Sequence, residues 1–339
     1  MIKQANKWLK QKHQWLGEVA HFHNKALKHG KDLKCTQNRL KHIKRNDILL
    51  VCVLKNEAHR ISYFLDYYRK LGVNHFIFVD NGSTDHLTHL VSGQRDITTF
   101  YSTASYKESN YGMYWANYLL LRFGRGHWCL TCDPDEFLVY PYIDTRDLRD
   151  LTDYLDSLRE ASFFTTMIDM YSDRPVEETH CPEGSDPLIA CPYFDGTGYS
   201  KYYYAKYRNT FLQGGVRRRL FYADNPGSAP ALNKIPLVKW QPHFAYVESM
   251  HMAIPRRLNE AVFRTKTMGA LLHYKFTSTL RDKVREEEQA KQHWDNSSEY
   301  RKYGTTIQQG TLLYERSVSV RYEDWRTLAR YGLVNVGEW

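Results

Sequence analysis

Trp128-Cys129-Leu130-Thr131-Cys132-Asp133-Pro134-Asp135-Glu136-Phe137 is the stretch on which the reading of this 339-residue chain turns. Trp128-Cys129-Leu130 is an apolar run of buried-strand type, and the carboxylates follow directly. Asp133 and Asp135 sit two apart, so an extended backbone sends both side chains the same way. Paired carboxylates at a strand end suit a hard divalent cation, Mn or Mg. Such a cation can neutralise the charge developing on a diphosphate leaving group.

Working outward, residues 48–54 read as a buried strand. Ile61, Phe64, Leu65, Tyr68 and Leu71 mark a helix that Gly72 stops. Residues 75–79 are a second strand, followed by the turn Asn81-Gly82-Ser83-Thr84-Asp85. Residues 97–102 read as a third strand, 111–123 as a helix, and 127–132 as the fourth strand. Phe163-Phe164-Thr165-Thr166-Met167-Ile168 is a further strand ending at Asp169, and Leu271-Leu272-His273-Tyr274 reads as a strand with a polar tip. Residues 172–210 read as long loops, and 279–294 and 321–331 as helices. Alternation of strand and helix predicts an α/β fold, with a mainly parallel, Rossmann-like sheet flanked by helices. Ligands of such sheets bind beyond the carboxyl ends of the strands. Lys55-Asn56-Glu57, the 80–85 cluster and the 133–136 cluster all fall at such ends.

Leu54-Lys55-Asn56-Glu57, Val79-Asp80-Asn81-Gly82-Ser83-Thr84-Asp85, Asp133-Pro134-Asp135-Glu136-Phe137 and the late His273-Tyr274 together resemble glycosyltransferase family 2, and more loosely family 92, over roughly 47–285. The resemblance implies a GT-A fold that moves a sugar from a nucleotide donor, UDP-linked by expectation, to a hydroxyl of a surface glycan or glycolipid precursor, with inversion. It assigns the nucleotide to Asp80, Asn81, Asn56 and Glu57, places Asp133 near the ribose or a metal-bound water, and gives the metal to Asp135. His273 is placed to add a metal ligand, and His251 competes with it. Arg217, Arg218 and Arg219 suit a phosphate clamp, with alternate arginines on a solvated strand face as the other reading. Asp85 reads first as a turn or cap residue. The family's acidic pair after a Gly-Gly segment is missing behind Gly214-Gly215, so the catalytic base is left between Asp169 and Glu248.

The net charge of +9 is concentrated at one end. Residues 1–45 hold 12 Lys and Arg against Glu18 and Asp32, and the remainder is nearly neutral. Trp8, Trp15, Val19, Phe22 and Ala26 form an apolar stripe on a basic helix. Three placements fit it: an anionic membrane surface, the protein body or a second subunit, and nucleic acid. No recognised motif supports nucleic acid, and none is expected as a partner. The longest apolar run, residues 48–54, is too short to span a bilayer. The six scattered cysteines suit a reducing compartment, so the expectation is a cytoplasmic protein held peripherally at the inner face of a membrane. Cys129 and Cys132 would face opposite ways on a strand, which disfavours zinc. The segments expected are a helical arm, 1–46, a transferase domain, 47–285, and a helical extension, 286–339.

Two rivals remain. Phosphatases of the haloacid dehalogenase type also place Asp-x-Asp at a strand end, with the first Asp as nucleophile. They usually follow it with a Gly-Thr turn on the chain's first strand, whereas here Glu-Phe-Leu follows and at least three strands precede. A non-catalytic sugar-binding protein on a transferase fold is the other rival, although Asp80, Asp133 and Asp135 are all present.

Overall fold

The computed structural model describes residues 2–290, 294–307 and 309–339; side chains are described from Trp15 onward, except at 286–290, 294–298 and 300. Nine strands form a central sheet: β1 (Lys34–Gln37), β2 (Leu49–Leu54), β3 (His75–Asp80), β4 (Ile97–Tyr101), β5 (Trp128–Thr131), β6 (Glu136–Val139), β7 (Ser162–Asp169), β8 (Asn233–Lys239) and β9 (Gly269–His273). Their spatial order is β1-β4-β3-β2-β5-β8-β7-β9-β6. Six strands run in one direction, and β1, β6 and β8 run against them. The fold is therefore α/β with a large, mostly parallel sheet, as the alternation implies.

The period of two along a strand explains the continuous apolar runs. Leu50, Cys52 and Leu54 of β2 enter one core layer, with Ile61, Phe64, Leu65 and Tyr68 of helix α2 (Ala58–Leu71). Leu49 and Val51 enter the other layer, against Met113, Ala116, Leu119 and Leu120 of helix α3 (Met113–Phe123). Cys129 and Cys132 likewise fall in different layers. Each fully buried large apolar side chain contributes roughly 1.5–3 kcal/mol. Gly72 ends α2 at φ 101°, the left-handed geometry that favours glycine.

Three features depart from the sequence reading. Strand β8 was not expected: Pro236 interrupts it, and the ladder to β7 shifts register between Lys234 and Leu237 to accommodate the missing donor. Residues 172–210 are not structureless, because Tyr193–Asp195 pairs with Ser319–Arg321 and Ser200–Tyr204 pairs with Asn209–Gln213. The three arginines at 217–219 lie on a helical turn, not a strand, entered through Gly215 at φ 65°.

Helix α1 (Ile2–His29) packs Val19 against Ala245 and Ile254, with Trp15 and Phe22 beside them. Ala26 is also buried, and Glu18 pairs with Arg256 at 3.0 Å. The apolar stripe from Trp15 to Ala26 thus sits on the body, one of the three placements left open. Trp8 lies outside the described side chains. Strand β1, within the 1–46 segment, is an edge of the sheet, and Trp325, Leu328 and Val334 join a main core cluster. The described parts of both terminal segments pack into the body.

Candidate functional site

Strand direction gathers the polar residues at one end of the sheet. Strands β2, β3, β5, β7 and β9 contribute what lies at their C-terminal ends: Asn56, Asp80, Asp133, Asp169 and His273. The opposed strands β6 and β8 deliver their N-terminal residues, Glu136 and Lys234, to the same end. Register fixes the pairing, since His273 lies opposite Asp169 on one side and Glu136 on the other.

His273 is the centre of the cluster. Its Nδ1 bonds Asp169 Oδ1 at 2.7 Å, and its Nε2 faces Asp135 Oδ2 at 3.4 Å. Asp169 accepts from Arg217 Nε at 2.8 Å, and Arg217 Nη1 continues to Glu299 at 3.2 Å. Burial disfavours a charged His273, but Asp135 and Asp169 override it and raise its pKa to about 9. Burial also opposes charge on Asp135, yet His273 and then Arg60 hold its carboxyl well below the usual range. Asp169 is lowered as well, because Arg217 and His273 outweigh burial.

Asp133 and Asp135 have different surroundings. Asp135 is 17% exposed and lies 3.8 Å from Arg60 Nη1. Asp133 is 45% exposed, and its one ion pair among the described residues is to Lys234 Nζ at 3.5 Å. Lys234 is itself buried and bonds Glu136 at 2.7 Å. Burial opposes its charge, but Glu136 and Asp133 raise its pKa, so it stands as an ammonium.

Behind this cluster, the loops after β2 and β3 are laced together. Asn56 Oδ1 accepts from the Thr84 N–H at 2.8 Å, and Asp80 Oδ1 from the Ser83 N–H at 2.8 Å. Asp85 Oδ2 accepts from the Ala58 N–H at 2.8 Å, a capping role at the start of α2. Asn81 donates to the carbonyls of Ser102 and Ala104, both at 3.0 Å. Glu57 is held by Arg60 at 2.8 Å and by Lys283 at 2.6 Å, the latter from helix α4 (Leu280–Ala290).

The structure therefore brings together Asp133, Asp135, His273, Asp169 and Arg217, but gives two of them other tasks than the sequence suggested. Arg217 is buried with its guanidinium committed to Asp169 and Glu299, which corrects the phosphate clamp. Asp169, one of the two candidates for the base, already accepts from both His273 and Arg217, which hold its carboxyl below the usual range. His251 is not in the cluster: its Nδ1 donates to the Asn233 carbonyl at 2.7 Å, and burial together with Lys234 lowers its pKa to about 3. Glu248 is exposed at the end of a short hairpin, Ala245–Glu248 with Met252–Ile254. Sequence reasoning missed Arg60, Lys234, Lys283 and Glu299. Arg60, three residues after Glu57 at the head of a helix, carried a usable signal. Lys234 carried none, because Pro236 hid its strand.

Asp135 and His273 are donors of the kind that would suit a divalent ion. A distance of 3.4 Å is long for a charge-assisted hydrogen bond. It is near the separation of neighbouring ligands on an octahedral ion, roughly 3 Å for bonds of about 2.1 Å. Asp169 on Nδ1 fixes the tautomer that would leave Nε2 free for the ion once its proton departs. Among the described residues no three His, Cys, Asp and Glu side chains form a metal cage. Two protein ligands suit an ion completed by substrate phosphates and water.

A cleft of about 360 Å³ lies at the opposite end of the sheet, lined by Arg45, His127, Trp128, Arg149, Asp156 and Lys239. Lys239 pairs with Asp156 there at 2.7 Å and His127 bonds the Asp47 carbonyl at 2.9 Å, but no cluster of carboxylates and histidine faces it, so the carboxylate end is the stronger candidate. No family model matches the chain, and no curated protein matches it.

Proposed function

We propose that this protein is a metal-dependent glycosyltransferase of GT-A type, acting on a nucleotide-sugar, UDP-linked, and a hydroxyl of a glycan or glycolipid acceptor. The observation that carries this reading is the Asp135–His273 pair, braced by Asp169 at adjoining strand ends. Mn or Mg, when bound there, would supply charge neutralisation for the departing diphosphate. Asp135 and His273 would hold it. Lys234 and Arg60 add fixed positive charge beside the carboxylates. Asp80, buried at the end of β3 with Oδ1 accepting from the Ser83 N–H, would meet the base or ribose of the nucleotide.

For inversion, a carboxylate must take the acceptor's proton on the face opposite the diphosphate. With Asp169 committed elsewhere, Glu248 is the proposed acceptor. Partial desolvation of its carboxyl, on a residue otherwise exposed, raises its pKa against the pull of Lys206, the direction a base needs. The turn after it packs on β8 beside Lys234, through the His251 bond to Asn233.

Release of nucleoside diphosphate from UDP-sugars in the presence of Mn tests the proposal. Asp135→Asn is expected to reduce release by at least about a hundredfold, on the scale of a lost electrostatic contact to the leaving group. Release of inorganic phosphate instead would favour the phosphatase chemistry, and no release from any nucleotide-sugar would favour a binding protein.

A further inference from the structure

We propose that the hairpin Ser200–Tyr204/Asn209–Gln213, with Phe263, docks this protein on an anionic phospholipid surface. Tyr202, Tyr203 and Phe263 are among the most exposed large apolar side chains, at 54%, 53% and 51%. As strand neighbours Tyr202 and Tyr203 leave opposite faces of the ribbon: Tyr202 packs on Phe211 with centroids 5.0 Å apart, and Tyr203 meets Phe263 edge-on at 5.9 Å, so both faces of the hairpin carry exposed rings. Exposed lysines flank the rings at 201 and 206. Lys201 makes no ion pair among the described residues, and Lys206 lies over the Tyr207 ring at 5.0 Å. Aromatic rings with lysine stems and ammonium heads suit the boundary between acyl chains and phosphates.

Charge complementarity selects the occupant. Carboxylates bordering the patch are already paired: Glu260 with Arg208 at 2.8 Å, Glu160 with Arg264, and Glu18 with Arg256 at 3.0 Å. Glu248 lies within the field of Lys206. The patch thus offers cations for phosphate and few acceptors for sugar hydroxyls, and Phe263 has no polar atom to orient a sugar. Arg256 also bonds the Lys206 carbonyl at 2.7 Å, so the hairpin turn is continuous with basic α1. The stripe of α1 from Trp15 to Ala26 is covered by the body, which favours the hairpin rings as the inserting element. At its root, the Leu212 N–H donates to Asn233 Oδ1 at 3.2 Å, next to Lys234. Docking would place the carboxylate end of the sheet near the bilayer. The inference does not depend on sugar transfer.

Co-sedimentation of the full chain with phosphatidylcholine vesicles, with and without phosphatidylglycerol, tests it. Binding is expected only with phosphatidylglycerol. The triple variant Tyr202→Ser/Tyr203→Ser/Phe263→Ser, and separately Lys201→Glu/Lys206→Glu, should each weaken binding by about tenfold or more, since each surface charge contributes on the order of 1 kcal/mol. Unchanged melting temperatures would show that both variants fold. Binding that is absent, indifferent to phosphatidylglycerol, or unaltered in both variants overturns the proposal. So does loss in these variants of self-association or of binding to a neutral polysaccharide, without loss of vesicle binding.

Discussion

His273 and Asp169 are register partners on adjacent parallel strands, and the 2.7 Å bond from Nδ1 to Oδ1 fixes the imidazole so that Nε2 looks at Asp135. A carboxylate behind a metal-facing histidine sets its tautomer and basicity, and removing it typically costs 10–100-fold in metal affinity. Asp169→Asn is therefore expected to weaken Mn binding by about that factor, measured by titration calorimetry or Mn electron paramagnetic resonance. Unaltered affinity would show that the ion, if bound, sits elsewhere.

Lys234 and Glu136 form a second buried pair at the same end of the sheet, 2.7 Å apart. Removing one partner of such a pair leaves an uncompensated charge, which costs about 3–5 kcal/mol, while replacing both is far milder. Lys234→Met should lower the urea-unfolding free energy by that amount, and Glu136→Gln/Lys234→Met should recover most of it. In the double variant Asp133 loses its cation, so nucleotide affinity should change even though stability returns. Equal destabilisation of the single and double variants would show that packing, not charge, dominates there.

The parallel half of this arrangement was legible in the sequence, and the opposed half was not. Apolar runs such as 48–54 and 75–79 end in polar clusters, so Asp80, Asp133, Asp169 and His273 could be placed at one sheet edge before any coordinates. Strand β8 lacks that signature: Lys234 and Pro236 break its pattern, and only pairing to β5 and β7 makes it a strand. The roles of Arg217 and Asp169 were illegible for a different reason. Their meeting depends on a helical turn at 217–221 being carried 48 residues back to a strand end, a tertiary contact without a local pattern. Asp85 is legible in part: its Oδ1 accepts from the Leu87 N–H two residues on, as turn chemistry suggests, while its Oδ2 reaches Ala58, 27 residues back, without a local pattern.

The acid limb of stability should carry the signature of His75, far from the carboxylate cluster at the start of β3. Its side chain is buried, and Nε2 contacts Thr98 Oγ1 at 2.9 Å. Burial lowers its pKa to about 4, against weaker upward pulls from Asp96 and Asp47. In the unfolded chain an ordinary histidine titrates near 6.5. Between pH 6.5 and 4 the unfolded state therefore binds the proton and the folded state does not, so stability rises with pH across that window. The contribution is complete above about pH 6.5 and is lost as pH falls through about 4, a difference on the order of 3 kcal/mol. His75→Gln, which keeps a polar group for Thr98 but cannot titrate, should flatten that part of the curve in urea unfolding measured from pH 4 to 7. An equally steep acid limb in the variant would assign the pH dependence to other groups.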